Sequence, residues 1–205
     1  MNQKGSLIIL SGFSGAGKGT VVKKLVKDYG YLISVSATTR KPREGEVDGV
    51  SYFFKTVDEF EHLIEEDGFI EYAQYVGNYY GTPKKYVEDQ LEAGKNVILE
   101  IEVQGALNVK KQYPDALMIF ITAPSVEELK ARLEGRGTES QEVIEERMKR
   151  ASEEVEEMTQ YEYIVVNDIV EQCAADINSI VIAKHCELNQ KLDFIEETRK
   201  GFANI

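Results

Sequence analysis

Apolar runs and apolar periodicities alternate along this chain of 205 residues. The segments 7–10, 97–101, 117–122 and 163–166 are almost continuously apolar over strand length, beginning with Leu7-Ile8-Ile9-Leu10. Such runs mark strands buried on both faces of a parallel sheet. Helical spacing of apolar positions follows at 18–28, 83–93, 104–111, 125–134, 140–157 and 169–198. The alternation predicts an α/β protein whose parallel sheet is flanked by helices.

Residues 31–82 break the rhythm. The stretches 32–36 and 51–54 read as short strands, and 56–66 reads as a helix. Thr56 stands three residues before Glu59, the spacing of a capping box. Residues 69–76 and 78–80 are strand-like and tyrosine-rich, and Gly77-Asn78 can turn a hairpin between them. This block reads as a small β-rich insert standing over the main sheet. One domain, 1–205, is expected. Its core comprises 1–35, 83–125 and 160–205; the insert covers 36–82, and a glutamate-rich helical lid covers 126–159.

The most informative chemistry lies where the first run meets the first helix. Residues 12–20 read Gly-Phe-Ser-Gly-Ala-Gly-Lys-Gly-Thr. Strand, glycine-rich turn and helix together are the context of a phosphate-binding P-loop. Gly12, Gly15 and Gly17 permit backbone angles and approaches that a Cβ forbids. The amides of the loop, including Ser14, Ala16, Gly19 and Thr20, can then face phosphate oxygens at the positive end of a helix. Lys18 is placed to reach the β- and γ-phosphates of a nucleoside triphosphate. The bland alternative is an ordinary glycine turn before a helix. The residue after the lysine is usually Ser or Thr, a Mg²⁺ ligand, but here Gly19 precedes Thr20. Mg²⁺ is therefore expected to rest mainly on phosphates and waters, with a nearby carboxylate and Thr20 contributing. Gly-Lys-Gly-Thr is also how adenylate kinase-like loops read.

Charge narrows the class of partner. A net charge of −12 argues against a general nucleic-acid binder. The arginines are nevertheless concentrated, Arg40 with Arg43, and Arg132 and Arg136 with Arg147 and Arg150. Clusters of this kind let an acidic enzyme take anionic nucleotides. No apolar run approaches the roughly 20 residues of a membrane span, and residues 1–6 leave no room for a signal peptide before the first strand. Cys173 and Cys186 lack metal-ligand spacing and read as reduced thiols. A cytoplasmic protein with neither membrane nor nucleic-acid partners is expected, its oligomeric state open.

A second phosphate site is suggested by Ser36-Ala37-Thr38-Thr39-Arg40-Lys41-Pro42-Arg43, continuing through Gly45-Glu46 to Tyr52. Two arginines, a serine and a tyrosine can surround a monophosphate with charge-assisted donors; alone, the segment reads equally as a polar loop. Further motifs follow in order: Phe-Ile-Glu-Tyr-Ala at 69–73, Gly-Asn-Tyr-Tyr-Gly-Thr at 77–82, and the segments 99–106, 132–138 and 165–168. In this combination, over roughly residues 6–185, the chain resembles the guanylate kinases.

The resemblance implies ATP-dependent phosphorylation of GMP, and of dGMP, in purine nucleotide metabolism. It assigns the GMP phosphate to Ser36, Arg40, Arg43, Tyr52 and Tyr80, and the guanine edge to Glu71, Thr82 and Glu102. Guanine presents N1–H and N2–H₂ donors that carboxylates accept; adenine would leave those carboxylates unpaired, a mismatch worth about 10⁴ in discrimination. Glu102 stands where the family more often has Asp, and Thr82 where Ser is common. Strand alternation places Glu100 and Glu102 on one face, which makes Glu100 the candidate for orienting metal-bound water. Arg132, Arg136 and Arg147 correspond to lid arginines acting with Lys18 on the transferring phosphoryl group, and Asn167 to an adenine-side contact. The residues leave two other readings open, another nucleoside monophosphate kinase and a catalytically silent interaction module of the same fold. Lys18 and its glycines favour an enzyme; Glu71, Tyr80, Thr82 and Glu102 favour guanine.

Overall fold

The computed structural model describes residues 4–75, 77–135 and 140–203. The chain opens with β1 (Leu7–Gly12), whose Leu7–Leu10 side chains are buried on both faces, and passes through a glycine turn into α1 (Lys18–Tyr29). It continues into β2 (Leu32–Ile33), then crosses to a second sheet with β3 (Ala37–Thr38) and β4 (Phe53–Phe54). Helix α2 (Val57–Glu65) follows, capped as its sequence requires. Thr56 Oγ accepts from Glu59 N at 3.1 Å, and Glu59 returns a carboxylate to Thr56 N at 2.7 Å. The hairpin β5 (Phe69–Tyr75) and β6 (Asn78–Pro83) completes the second sheet. Pro83 ends β6 and caps α3 (Lys84–Glu92).

The main sheet resumes with β7 (Val97–Glu100), α4 (Val103–Gln112), β8 (Leu117–Thr122), α5 (Val126–Glu134) and α6 (Gln141–Glu154). Strand β9 (Tyr163–Val166) and helix α7 (Val170–His185) follow, and α8 (Leu192–Ala203) closes the described chain. The five strands lie in the order β2-β7-β1-β8-β9, every neighbouring pair parallel. The insert is a four-stranded mixed sheet, β4-β3-β6-β5.

Four expectations change. The run 163–166, expected to be buried on both faces, forms the edge strand β9, in which only Val165 is buried. The predicted strand 32–36 is divided, because the chain leaves one sheet for the other after Ile33. The helix expected to reach 157 ends at Glu154 and tightens into a 3₁₀ turn over Glu156–Gln160. The single helix expected over 169–198 is two. Glu187 adopts an extended conformation (φ −58°, ψ 147°) between α7 and a 3₁₀ turn at Leu188–Lys191, with no glycine or proline at the break.

Each sheet has its own core. The main one joins β1, β7 and β8 to the buried faces of α1, α4 and α7. The smaller one gathers Ala37, Phe60 and Phe69, with Phe53, Leu63 and Tyr79 packed against it. Phe60, fully buried on α2, stacks on Phe69 (centroids 4.3 Å apart) and on Tyr79 (5.2 Å). This ring stack fastens α2 to the hairpin. Phe60→Ala is expected to destabilise the protein by about 3–4 kcal/mol, the usual cost of emptying an aromatic core site. Urea denaturation checks this; a loss below about 1 kcal/mol would assign the insert's stability elsewhere.

Candidate active site

The turn after β1 is shaped by what is missing from it. A Cβ on Gly12 would strike the Ile121 carbonyl of the adjacent β8. Gly17 caps α1 in the left-handed region (φ 85°), where a Cβ would come within 2.5 Å of Asn167 Nδ2. The loop is thus pressed against the carboxyl ends of the strands, where ligands of open α/β sheets bind. Asn167, directly after β9 and 2% exposed, donates Nδ2 to Ala16 O at 2.8 Å. Its role here is to strap the loop from behind; its Oδ1 is buried and has no hydrogen-bond partner among the described residues.

Three cations reach this turn or its strap. Lys18 Nζ donates to the Gly12 carbonyl and, at 3.2 Å, to the Phe13 carbonyl. Arg147, on α6, donates Nη1 to Ser14 Oγ at 2.7 Å. Arg132, on α5, donates Nη1 to the Asn167 carbonyl at 2.9 Å, steadied by Glu128 at 2.8 Å. Arg136 lies outside the described residues. Glu100, at the end of β7, brings Oε1 within 3.9 Å of where a Cβ on Gly19 would sit. The missing Gly19 side chain leaves space between this carboxylate and the start of α1, beside the exposed Thr20. A hard divalent ion prefers such oxygen donors. Among the described residues no three metal-binding side chains form a cage, so most of its ligands would come from phosphate and water.

The insert carries a second basic site. Arg40 donates Nη2 to Glu46 Oε1 at 2.8 Å, and its guanidinium lies 5.3 Å from the centroid of the Tyr52 ring. Tyr52 and Tyr80 meet edge to face at 6.2 Å. Glu46 also accepts from the Arg43 backbone N–H at 2.7 Å, and the Arg40 guanidinium holds its carboxyl below the ordinary range. Glu46 has no role assigned by the sequence motif, where its signal is a carboxylate six residues after Arg40. Thr38 and Thr39 were missed in the same way. Thr38 Oγ1 donates to Tyr79 O at 2.9 Å, and Thr39 Oγ1 accepts from Tyr79 N at 2.9 Å, tying the arginine loop to β6. Ser36 lies just before β3, its carbonyl accepting from Phe53 N, and Arg43 is exposed.

Glu71 and Thr82 are opposite each other on β5 and β6. Thr82, 2% exposed, donates Oγ1 to Glu71 Oε1 at 2.7 Å. Burial raises the Glu71 pKa, and the Thr82 hydroxyl partly opposes that rise. A carboxylate with one oxygen satisfied has further lone pairs for an N–H donor. Glu102 is placed differently from expectation. β7 ends at Glu100, so Glu102 shares no strand face with it; it is the N-cap of α4, in extended conformation, and accepts from Arg150 Nη2 at 2.6 Å.

Both sites therefore lie on segments whose sequence patterns also occur elsewhere, and the comparisons extend across them. The guanylate kinase family model matches residues 4–184. A guanylate kinase of Clostridium acetobutylicum is 52% identical over 201 residues, 98% of this chain and 96% of its own. The crystal structure of guanylate kinase from Anaplasma phagocytophilum is 32% identical, with a TM-score of 0.72, covering 97% of this chain and 96% of that one. These matches take in the glycine turn, the insert and the arginine-bearing helices alike, and on them the chain belongs to the guanylate kinase family.

Proposed function

We propose that this protein is a nucleoside monophosphate kinase that transfers the γ-phosphoryl group of ATP to GMP, and to dGMP, yielding ADP and the guanosine diphosphate. The observation that carries the guanine reading is the pairing of half-buried Glu71 with buried Thr82, 2.7 Å apart, beside a basic site on the same sheet. A buried carboxylate rewards the N1–H and N2–H₂ donors of guanine and leaves adenine's N1 lone pair facing negative charge.

The donor site consists of the loop 12–20 with Lys18, and Arg147 and Arg132 approach it from the lid helices. The acceptor phosphate belongs with Arg40, Arg43, Tyr52, Tyr80 and Ser36. Its second pKa is about 6, so its oxygen is already largely ionised at neutral pH and attacks the γ-phosphorus in line without a general base. Lys18 and the arginines then act by positioning and by stabilising charge on the transferring group. The divalent ion that accompanies ATP is read as Mg²⁺, which would neutralise phosphate charge when bound; Glu100 and Thr20 are the side chains that would hold its waters. No helix among the described residues is long and apolar enough to cross a membrane, and we assign the enzyme to the cytoplasm.

The deciding experiment measures ADP formation from ATP and Mg²⁺ with GMP, dGMP, AMP, UMP and CMP offered separately. Strong dependence on GMP is expected; turnover with AMP instead would overturn the acceptor assignment. Lys18→Ala is expected to lower kcat by about 10²–10³, the usual effect of deleting one transition-state charge contact, with GMP binding retained by calorimetry. Near-normal turnover would remove Lys18 from the donor site.

Glu71 also gives a pH signature. Its folded pKa lies above its unfolded value, so its contribution to stability is fully present below the ordinary carboxylate value of 4.5. That contribution is lost as pH rises through the raised value. Glu71→Gln stays neutral throughout. Its stability relative to wild type is expected to rise over this window, measured by urea unfolding at several pH values; a constant difference would contradict the burial effect.

A further inference from the structure

Helix α6 presents two adjacent stripes. Ile144, Met148 and Ala151 face the body of the protein, Ile144 and Ala151 buried and Met148 packed on the main core. Arg147, Arg150 and Glu154 form the neighbouring stripe at helical spacing. Its two arginines, one turn apart, reach different sites. Arg147 bonds Ser14 in the donor loop at 2.7 Å; Arg150 bonds Glu102 Oε2 at 2.6 Å and Glu154 Oε1 at 3.1 Å.

We propose that Arg150 is a positioning residue for the acceptor base: it holds Glu102 by one carboxylate oxygen and leaves the other for guanine. This rests on the reading of Glu102 as a guanine acceptor given above. Three features support it. First, an ionised carboxylate has about four lone-pair sites, and only Oε2 has a bond to Arg150. Second, Glu154 takes the Nε of Arg150, so the guanidinium is oriented from its own helix. Third, Glu102 and Arg150 border a cavity of about 280 Å³ at the start of α4, with room for both side chains to adjust.

The pair is not a stability device. Both side chains are more than half exposed, at 57% and 76%, and exposed ion pairs contribute little to folding. Its value lies in orientation, which increases as bound nucleotide excludes water and lowers the local dielectric.

The test compares Arg150→Ala, Arg150→Lys, Glu102→Ala and the double variant Glu102→Ala/Arg150→Ala by steady-state kinetics, with melting temperature as a control. Arg150→Ala is expected to raise the KM for GMP about tenfold, the loss of one charge-assisted contact's orienting effect. The KM for ATP, kcat and melting temperature should stay within about twofold or a few degrees of wild type. Arg150→Lys should recover part of the GMP affinity, and Arg150→Ala should add nothing in the Glu102→Ala background. An unchanged KM for GMP in Arg150→Ala, or an equal effect with and without Glu102, would overturn the proposal while Glu102→Ala still showed weakened GMP. If Glu102→Ala itself leaves GMP unaffected, the guanine role of Glu102 fails, and the proposal fails with it.

Discussion

The structure depends on a close approach of backbone to backbone at the carboxyl ends of β1 and β8. Gly12 lies against the Ile121 carbonyl with no space for a Cβ, and Gly17 lies against the Asn167 amide. Because β1 is paired along both edges with parallel neighbours and buried on both faces, the strand cannot shift to relieve a collision. The loop's shape is therefore inherited from the sheet. Lys18, Ser14 and the α1 terminus take their places from it, and Arg132 and Arg147 reach it or its strap from two further helices. Rigidity here is useful, since a phosphoryl-transfer site acts chiefly by holding charges where they are needed.

Arginines in the two sites come with carboxylate companions: Arg40 with Glu46, Arg132 with Glu128, Arg150 with Glu102 and Glu154. The chain's net charge of −12 and its affinity for anions are reconciled by this arrangement. Each glutamate lowers the repulsion among clustered cations and orients a guanidinium before substrate arrives. Because the pairs are partly exposed, exchanging a carboxylate for a phosphate oxygen costs little. Preorganisation and anion binding are compatible on these terms.

The centre of the main sheet was legible because β1, β7 and β8 are parallel and buried on both faces, so apolar runs such as 7–10 and 117–122 have one reading. The capping box at Thr56 was legible because it is a local contact. The short strands β2, β3 and β4 were harder: two-residue pairings depend on what lies beside them, which the chain at 32–38 does not encode locally. The break after Cys186 has no glycine or proline to announce it. Among site residues, the glycine loop with Lys18 stood out by spacing alone. Glu71 and Thr82, eleven residues apart, were identifiable only through family resemblance, since their contact requires the hairpin. Glu102 was placed on a strand because alternation was extended two residues too far. Glu46, Thr38 and Thr39 were passed over because polar residues that hold other polar residues have no pattern of their own.

The hairpin that pairs Glu71 with Thr82 turns at Gly77 (φ 73°), and its ladder already shifts once, between Phe69 and Glu71. Side chains of a strand alternate faces, so a slip of one residue would send Glu71 and Thr82 to opposite sides of the sheet. On the reading proposed above, base selection is thus a property of strand alignment as much as of two side chains. A turn five residues from Thr82 would then help decide which nucleotide is accepted. Changes in loop length at such a turn give evolution a route to new acceptor specificity that leaves the phosphate-handling machinery intact.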